Sequence, residues 1–338
     1  MSLRLSPAWK QAGFLGAMIT VNSLSGGKTS SFLEVHYPAD VSLFALVCID
    51  SHNANAGSTT FKIDRHIRQL VNDKLQKYCS HQREFLGTAE DPLIIKTKLD
   101  LEQMTGREII WLRGTGFQSL VETKQTLPNK HHRWCTTEFK IKPIFEHLLM
   151  YHTLPCKMRV GFRSDEAHRV NNFKDTFMYS THCEFVDDNI GEDVPGNMKK
   201  VLLKCKSNPE DCDTNYYHGW SLPHRHRWAE IPFRIGEFPL VEDGITQSDV
   251  QRFWRDKDIQ FPLDSNCQFC FWKHPQQLRQ NFETQPATMN SMVMIEMMKE
   301  DKSTFHHTMA MKDIRDIGIQ TQLFQMQGGG CHGGYCTG

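Results

Sequence analysis

An α/β fold, a parallel sheet covered by helices on both faces, is what this sequence predicts, and three observations predict it. Short apolar runs of strand length alternate with stretches of helical periodicity between Met18 and Phe162. The first run leads directly into a Ser/Gly turn that opens a helix. The composition is that of a folded chain of one or two domains: 338 residues, 39% hydrophobic and 23% charged, with 7 Trp and 21 Phe to fill a core.

In chain order, Met18-Ile19-Thr20-Val21 reads as a buried strand, and residues 30–37 as a short helix stopped by Pro38. Residues 43–49 form a second apolar strand run that ends at Asp50. Residues 61–78 carry Ile63, Ile67, Leu70, Val71 and Leu75 at helical spacing. Leu93-Ile94-Ile95 and Ile109-Ile110-Trp111 read as further short strands, and residues 137–151 as a helix despite Pro143. Residues 158–162 supply the last central strand, which closes a first domain near residue 175.

Beyond that point the periodicity weakens, and residues 187–239, rich in Asp, Asn, His, Pro and aromatics, have no assigned structure. Residues 246–258 read as a helix with Thr246 as N-cap and Asp249 completing an acidic capping box. Residues 287–299 read as another, whose Met289, Met292, Met294, Met297 and Met298 are expected to fill core gaps. The expected division is therefore 1–175, a mixed and cysteine-containing region 176–327, and a Gly/Cys tail 328–338.

Charge and hydropathy exclude several classes. The 39 basic and 39 acidic residues balance, so any nucleic-acid contact must be local rather than drawn by a global field. No run approaches the roughly 20 apolar residues of a bilayer span, and residues 1–16 lack the apolar core of a secretion signal. A cytoplasmic protein with no membrane partner is expected. There thiols stay reduced, so some of the eleven cysteines are expected to bind metal or react rather than form a disulfide framework.

The turn Ser25-Gly26-Gly27-Lys28-Thr29-Ser30 brings several backbone N–H groups and a helix N-terminus to one point, a geometry suited to phosphate, with Lys28 adding positive charge. A plain strand-to-helix turn is the competing reading. A Walker-type loop is excluded, because the position five residues before Gly27 is Asn22 rather than glycine.

This turn resembles the SGGxDS signature of the PP-loop superfamily, the HUP-type adenine-nucleotide α-hydrolases that include ATP pyrophosphatases and phosphoadenosine phosphosulfate (PAPS) reductases. Arg133-Trp134-Cys135-Thr136, followed by Lys140-Ile141-Lys142-Pro143, looks like the Cys-containing segment of the PAPS reductase branch. Gly161-Phe162-Arg163-Ser164-Asp165-Glu166-Ala167-His168-Arg169 is similar to that branch's Gly-x-Arg-x-x-Glu-x-x-Arg motif. The resemblance covers roughly residues 15–175. Thr29 departs from the family's Asp, and Ser51-His52 from the Thr-Gly that commonly follows the strand-end acid, here Asp50.

The resemblance implies that Ser25, Gly26, Gly27, Lys28, Thr29, Ser30 and Asp50 hold an adenine nucleotide, ATP or PAPS/adenylylsulfate, with magnesium as a further candidate. It implies that Lys28, Arg163 and Arg169 neutralise the oxyanions, a role for which arginine's bidentate fork is suited, with Glu166 a further catalytic residue of the motif. The competing reading of the last three is an ion-pair network at a strand end.

Cys267-Gln268-Phe269-Cys270 is a CxxC, a spacing that lets two thiolates from one turn reach one metal or cluster. Adenylylsulfate-reducing relatives hold a [4Fe-4S] cluster by a Cys pair and a later CxxC, which implies that Cys135, Cys267 and Cys270 are three of four ligands, with Trp134 at the other position. Cys336 or Cys331 could complete the set, or the fourth iron stays open, as in PP-loop tRNA thiolases. Zinc, with His274 or a tail cysteine, and no metal at all are the alternatives. Cys331-His332 also resembles the C-terminal Cys nucleophile of PAPS reductases.

The expected function is thus a PAPS reductase-like enzyme of sulfur chemistry, with a thioredoxin-like reductant or sulfur donor as partner. The rivals are an ATP-dependent sulfurtransferase acting on tRNA or DNA, and a non-catalytic nucleotide- or nucleic-acid-binding module. The sequence leaves the oligomeric state open.

Overall fold

The computed structural model describes residues 18–51, 53–78, 83–130, 132–181, 216–217, 220–221, 227–299 and 301–319, without the side chains of 180–229. Its centre is a five-stranded sheet in the order β11-β6-β1-β2-β5, every pairing parallel. The strands are β1 (Thr20–Leu24), β2 (Val41–Leu46), β5 (Ile110–Arg113), β6 (Cys156–Val160) and β11 (Arg234–Glu237). β3 (Cys48–Ile49) and β4 (Gly87–Thr88) pair with each other where the chain leaves β2. β7 (Thr176–Thr181) pairs antiparallel with β10 (Arg227–Pro232), and β8 (Tyr216–Tyr217) with β9 (Trp220–Ser221).

The two faces of the sheet follow from the period of two. In β2, Leu43 and Ala45 enter one core with Val21, Met158 and Phe145, while Phe44 and Leu46 enter the other with Leu33, Val71 and Trp111. The second core is closed by α1 (Lys28–His36), α2 (Arg65–Tyr78) and α3 (Leu93–Thr105). The first is closed by α6 (Lys142–Tyr151), which continues from α5 (Trp134–Thr136) through a π-helical turn, Thr137–Ile141. Pro143 follows that turn; it has no N–H to donate, and the widened turn lets the helix run on. A parallel sheet with a core on each face agrees with the expected α/β class.

A third core lies beyond the carboxyl ends of the strands. Phe117, Phe139, Phe269, Phe282, Met289, Met292 and Phe305 fill it, from α4 (Phe117–Lys124), the π-turn and the C-terminal helices. Those helices are α9 (Pro275–Thr284), α10 (Pro286–Met297) and α11 (Met311–Asp316), whereas α7 (Pro239–Glu242) and α8 (Gln247–Arg255) pack on the second core through Leu240, Val250 and Trp254. Thr246 caps α8 with Asp249 as anticipated.

Two expectations are corrected. Leu93-Ile94-Ile95 opens α3 instead of forming a strand: Ile94, Ile95, Lys98 and Leu101 share its buried face, and Gly106, at φ 65°, ends it in the left-handed region. A three-residue apolar run suits either structure, and the longer period decides. The methionines of α10 divide as well, since Met289 and Met292 are buried while Met294, Met297 and Met298 face outward. The sheet also draws β11 from beyond residue 175, beside β6. Among the described residues no helix is long and apolar enough to cross a membrane.

Candidate functional site

The glycine turn sits at the carboxyl end of β1, the central strand of the sheet, where α/β sheets place their ligands. Ser30 ties it together: its hydroxyl proton is shared between the carbonyls of Ser25 (2.9 Å) and Gly27 (3.1 Å), and its oxygen accepts from the Ser25 N–H (3.1 Å). Gly27 is the N-cap of α1 and brings no side-chain acceptor, so the first helical N–H groups are left for a ligand. Two glycines are required by close approach. A Cβ on Gly26 would collide with Ile94 of α3, and one on Gly161 would lie 3.2 Å from the backbone of Ser30.

That second approach places the Gly161–Arg169 segment against the turn. Arg163 donates through Nη1 to the Thr29 hydroxyl (3.2 Å), so the turn itself anchors the arginine. The same guanidinium pairs with Asp165 (3.0 Å) and Glu166 (3.2 Å), and Arg169 pairs with Glu166 (2.9 Å). Arg163 also holds the Asp165 carboxyl below its usual range by that hydrogen bond. The ion-pair network and the contact to the turn therefore coexist. Asp50, after β3, accepts from Ser119 (2.9 Å), lies 3.7 Å from Arg113 and abuts Gly116, which fixes it to the β5–α4 junction at the same end of the sheet.

The thiols converge in the third core. Cys135 lies on α5, and Cys267 and Cys270 lie in consecutive turns of the segment before α9, closed by Cys270 N–H to Cys267 O (3.0 Å) and Lys273 N–H to Cys270 O (2.9 Å). Asp264 fixes this segment by accepting from Lys273 (2.6 Å) and Gln277 (2.6 Å), and the Gln268 N–H reaches the Ala89 carbonyl (2.7 Å). Burial pushes the Cys135 thiol up to about 11 and the Cys267 and Cys270 thiols above their usual range, and the three sulfurs act on one another electrostatically. Lys140, paired with the fully buried Glu90 (2.9 Å), opposes this at Cys267 and Cys270.

The thiol segment also approaches the glycine turn, because a Cβ on Gly27 would lie 3.4 Å from the Ser265 hydroxyl. Trp254 Nε1 donates to the Lys28 carbonyl (3.0 Å), and the Lys28 ammonium lies 5.9 Å from the Phe261 ring centre. The turn and the thiols are thereby adjoining parts of one region.

As a donor set, three thiols match the chemistry of iron–sulfur or zinc binding, and the buried Trp134 and Trp272 indole N–H groups have no hydrogen-bond partner among the described residues. No three His, Cys, Asp or Glu side chains among the described residues stand at metal-holding spacing. His274, the zinc alternative, caps α9 by accepting the Gln276 N–H at Nδ1 (3.2 Å). Cys331 and Cys336 lie outside the described residues.

Three charged residues escaped the sequence reading. Lys140 stood inside a quoted motif, five residues after Cys135, and carries a signal in that spacing. Glu90 and Lys98 carry none, since only the fold buries them beside the turn and the thiols. No family model matches this chain, and neither a curated protein nor a solved structure matches it.

Proposed function

We propose that this protein is a PP-loop enzyme of the PAPS reductase type, which binds an adenine nucleotide at the glycine turn and carries out sulfur chemistry beside it. One observation carries the reading: a ligand-ready helix N-terminus at the end of a central parallel strand lies close, at Gly27, to Ser265 of the segment that bears Cys267 and Cys270.

In this reading the nucleotide phosphates lie on the N–H groups of α1, with the exposed Lys28 ammonium beside them. Arg163, already bound to the turn through Thr29, exchanges an Asp165 or Glu166 partner for an anionic oxygen. Asp50 stands at the neighbouring strand end for the nucleoside. Cys135, Cys267 and Cys270 would hold a [4Fe-4S] cluster together with a ligand from elsewhere, and the cluster would supply electrons or a sulfur-binding iron. Lys140, between Glu90 and the thiols, offsets negative charge gathered there.

The second reading, ATP-dependent sulfur transfer to a nucleic acid, shares every one of these residues. Product chemistry separates the two. Adenylation of an acceptor releases pyrophosphate from ATP, whereas reduction releases sulfite from PAPS or adenylylsulfate. Sulfite formation under anaerobic, reducing conditions is the expected result. Pyrophosphate formed only with tRNA or DNA present would transfer the assignment to the second reading, and neither product would leave a binding module.

A further inference from the structure

Behind the glycine turn, on the side away from the ligand, lies a lysine that the proposed chemistry does not use. Lys98 of α3 is fully buried, and among the described residues its ammonium has one hydrogen-bond partner, the Ser31 hydroxyl at 3.1 Å. Ser31 is itself fully buried and donates onward to the Gly27 carbonyl at 3.1 Å. The donors therefore point one way, from ammonium to hydroxyl to carbonyl. That carbonyl belongs to the peptide whose N–H is the Lys28 amide, the first N–H of α1. Polarising one end of a peptide unit strengthens the other as a donor, and in a buried chain such bonds reinforce one another.

We propose that Lys98 is a positioning residue for the anion at the glycine turn, acting through Ser31 and the Gly27–Lys28 peptide and adding its own charge from behind. The proposal rests on the reading that this turn takes a nucleotide phosphate, and it adds a residue and a pH dependence to that reading.

The surroundings of Lys98 make its charge conditional. Burial draws its pKa down to about 7, against the pull of Glu34 and Glu90. Both carboxylates are already engaged: Glu34 of α1 with Arg107, Asn22 and Ser42, and Glu90 with Lys140. From β2 the Phe44 ring lies 5.8 Å from the ammonium. On its own helix, Lys96 pairs with Asp100, and Glu102 with Lys74. An anion at the turn favours the protonated form, so binding is tighter below about pH 7 and weakens as the lysine loses its proton.

The test is the affinity for adenylylsulfate, which has no group that titrates between about pH 6 and about pH 9, measured calorimetrically across that range for the wild type, Lys98→Met and Ser31→Ala. Wild-type affinity should fall about tenfold as pH rises, the equivalent of one pKa unit of coupling. Lys98→Met should bind about tenfold more weakly at the acid end and lack that fall, with Ser31→Ala between the two. The same comparison with ATP cancels the ligand's own titration, because each variant meets the same ligand at each pH. Parallel profiles in wild type and Lys98→Met overturn this proposal while leaving nucleotide binding intact. Should Lys98→Met fail to fold, a Ser31→Ala profile identical to wild type overturns the relay. No binding of either nucleotide by folded wild type overturns the nucleotide reading and this proposal together.

Discussion

Replacing Glu90 by Gln removes the carboxylate that pairs with the Lys140 ammonium beside the thiol segment. At 2.9 Å and an effective dielectric of about 20, the lost attraction is about 6 kcal/mol, part of which is returned because the carboxylate need no longer be desolvated. Breaking one side of a buried pair costs about 4 kcal/mol on balance. An unfolding entropy of about 2.1 cal/mol/K per residue over 338 residues gives about 0.7 kcal/mol/K, so Tm should drop by about 6 °C. The double variant Glu90→Gln/Lys140→Met removes both charges and should recover most of that loss. Differential scanning calorimetry of the wild type, both single variants and the double variant measures the coupling. A single-variant Tm within about 1 °C of wild type, or a double variant whose loss is the sum of the singles, would refute the reasoning.

Cys267→Ser and Cys135→Ser should each lower the iron and sulfide bound after anaerobic purification; full retention in both would remove the cluster from the account. Arg163→Ala should remove the Thr29 anchor and reduce the rise in Tm produced by millimolar ATP or PAPS while the unliganded Tm stays within about 2 °C, and an undiminished ligand-induced rise would deny Arg163 a part in binding. His147, buried against Tyr78, Tyr151 and His152, has its pKa lowered to about 4, mainly by burial. Between there and the ordinary histidine value the unfolded chain takes a proton that the native one refuses. Stability should therefore fall by up to about 3 kcal/mol as pH drops through that window, and His147→Phe should flatten this part of the acid denaturation curve.

Local pattern made the front half of the fold legible. The run into Ser25-Gly26-Gly27, the stop at Pro38 and the Thr246/Asp249 cap each lie within a few residues of sequence, and the structure has all three. The glycine turn could be read for the same reason. What escaped depends on contacts distant in the chain. β11 joins β6 across more than seventy residues, and Glu90 meets Lys140 across fifty. α3 was misread because its opening Leu-Ile-Ile shows strand chemistry, while its helical face becomes visible only with Lys98, a charged residue that no hydrophobic period includes. The cysteine motifs announced the thiols, but the approach of their segment to Gly27 at Ser265 required the fold.

The central claim is that the glycine turn and the adjoining thiols form one nucleotide-dependent site, and titration calorimetry of the anaerobically purified wild type with ATP and with adenylylsulfate, repeated on Gly161→Val, tests it most directly. The wild type should bind one nucleotide per chain, and the Gly161→Val side chain, pressed onto the Ser30 backbone, should weaken that binding about tenfold or more while the protein remains folded. Heat changes indistinguishable from dilution for both nucleotides, or equal affinity in wild type and variant, would contradict it.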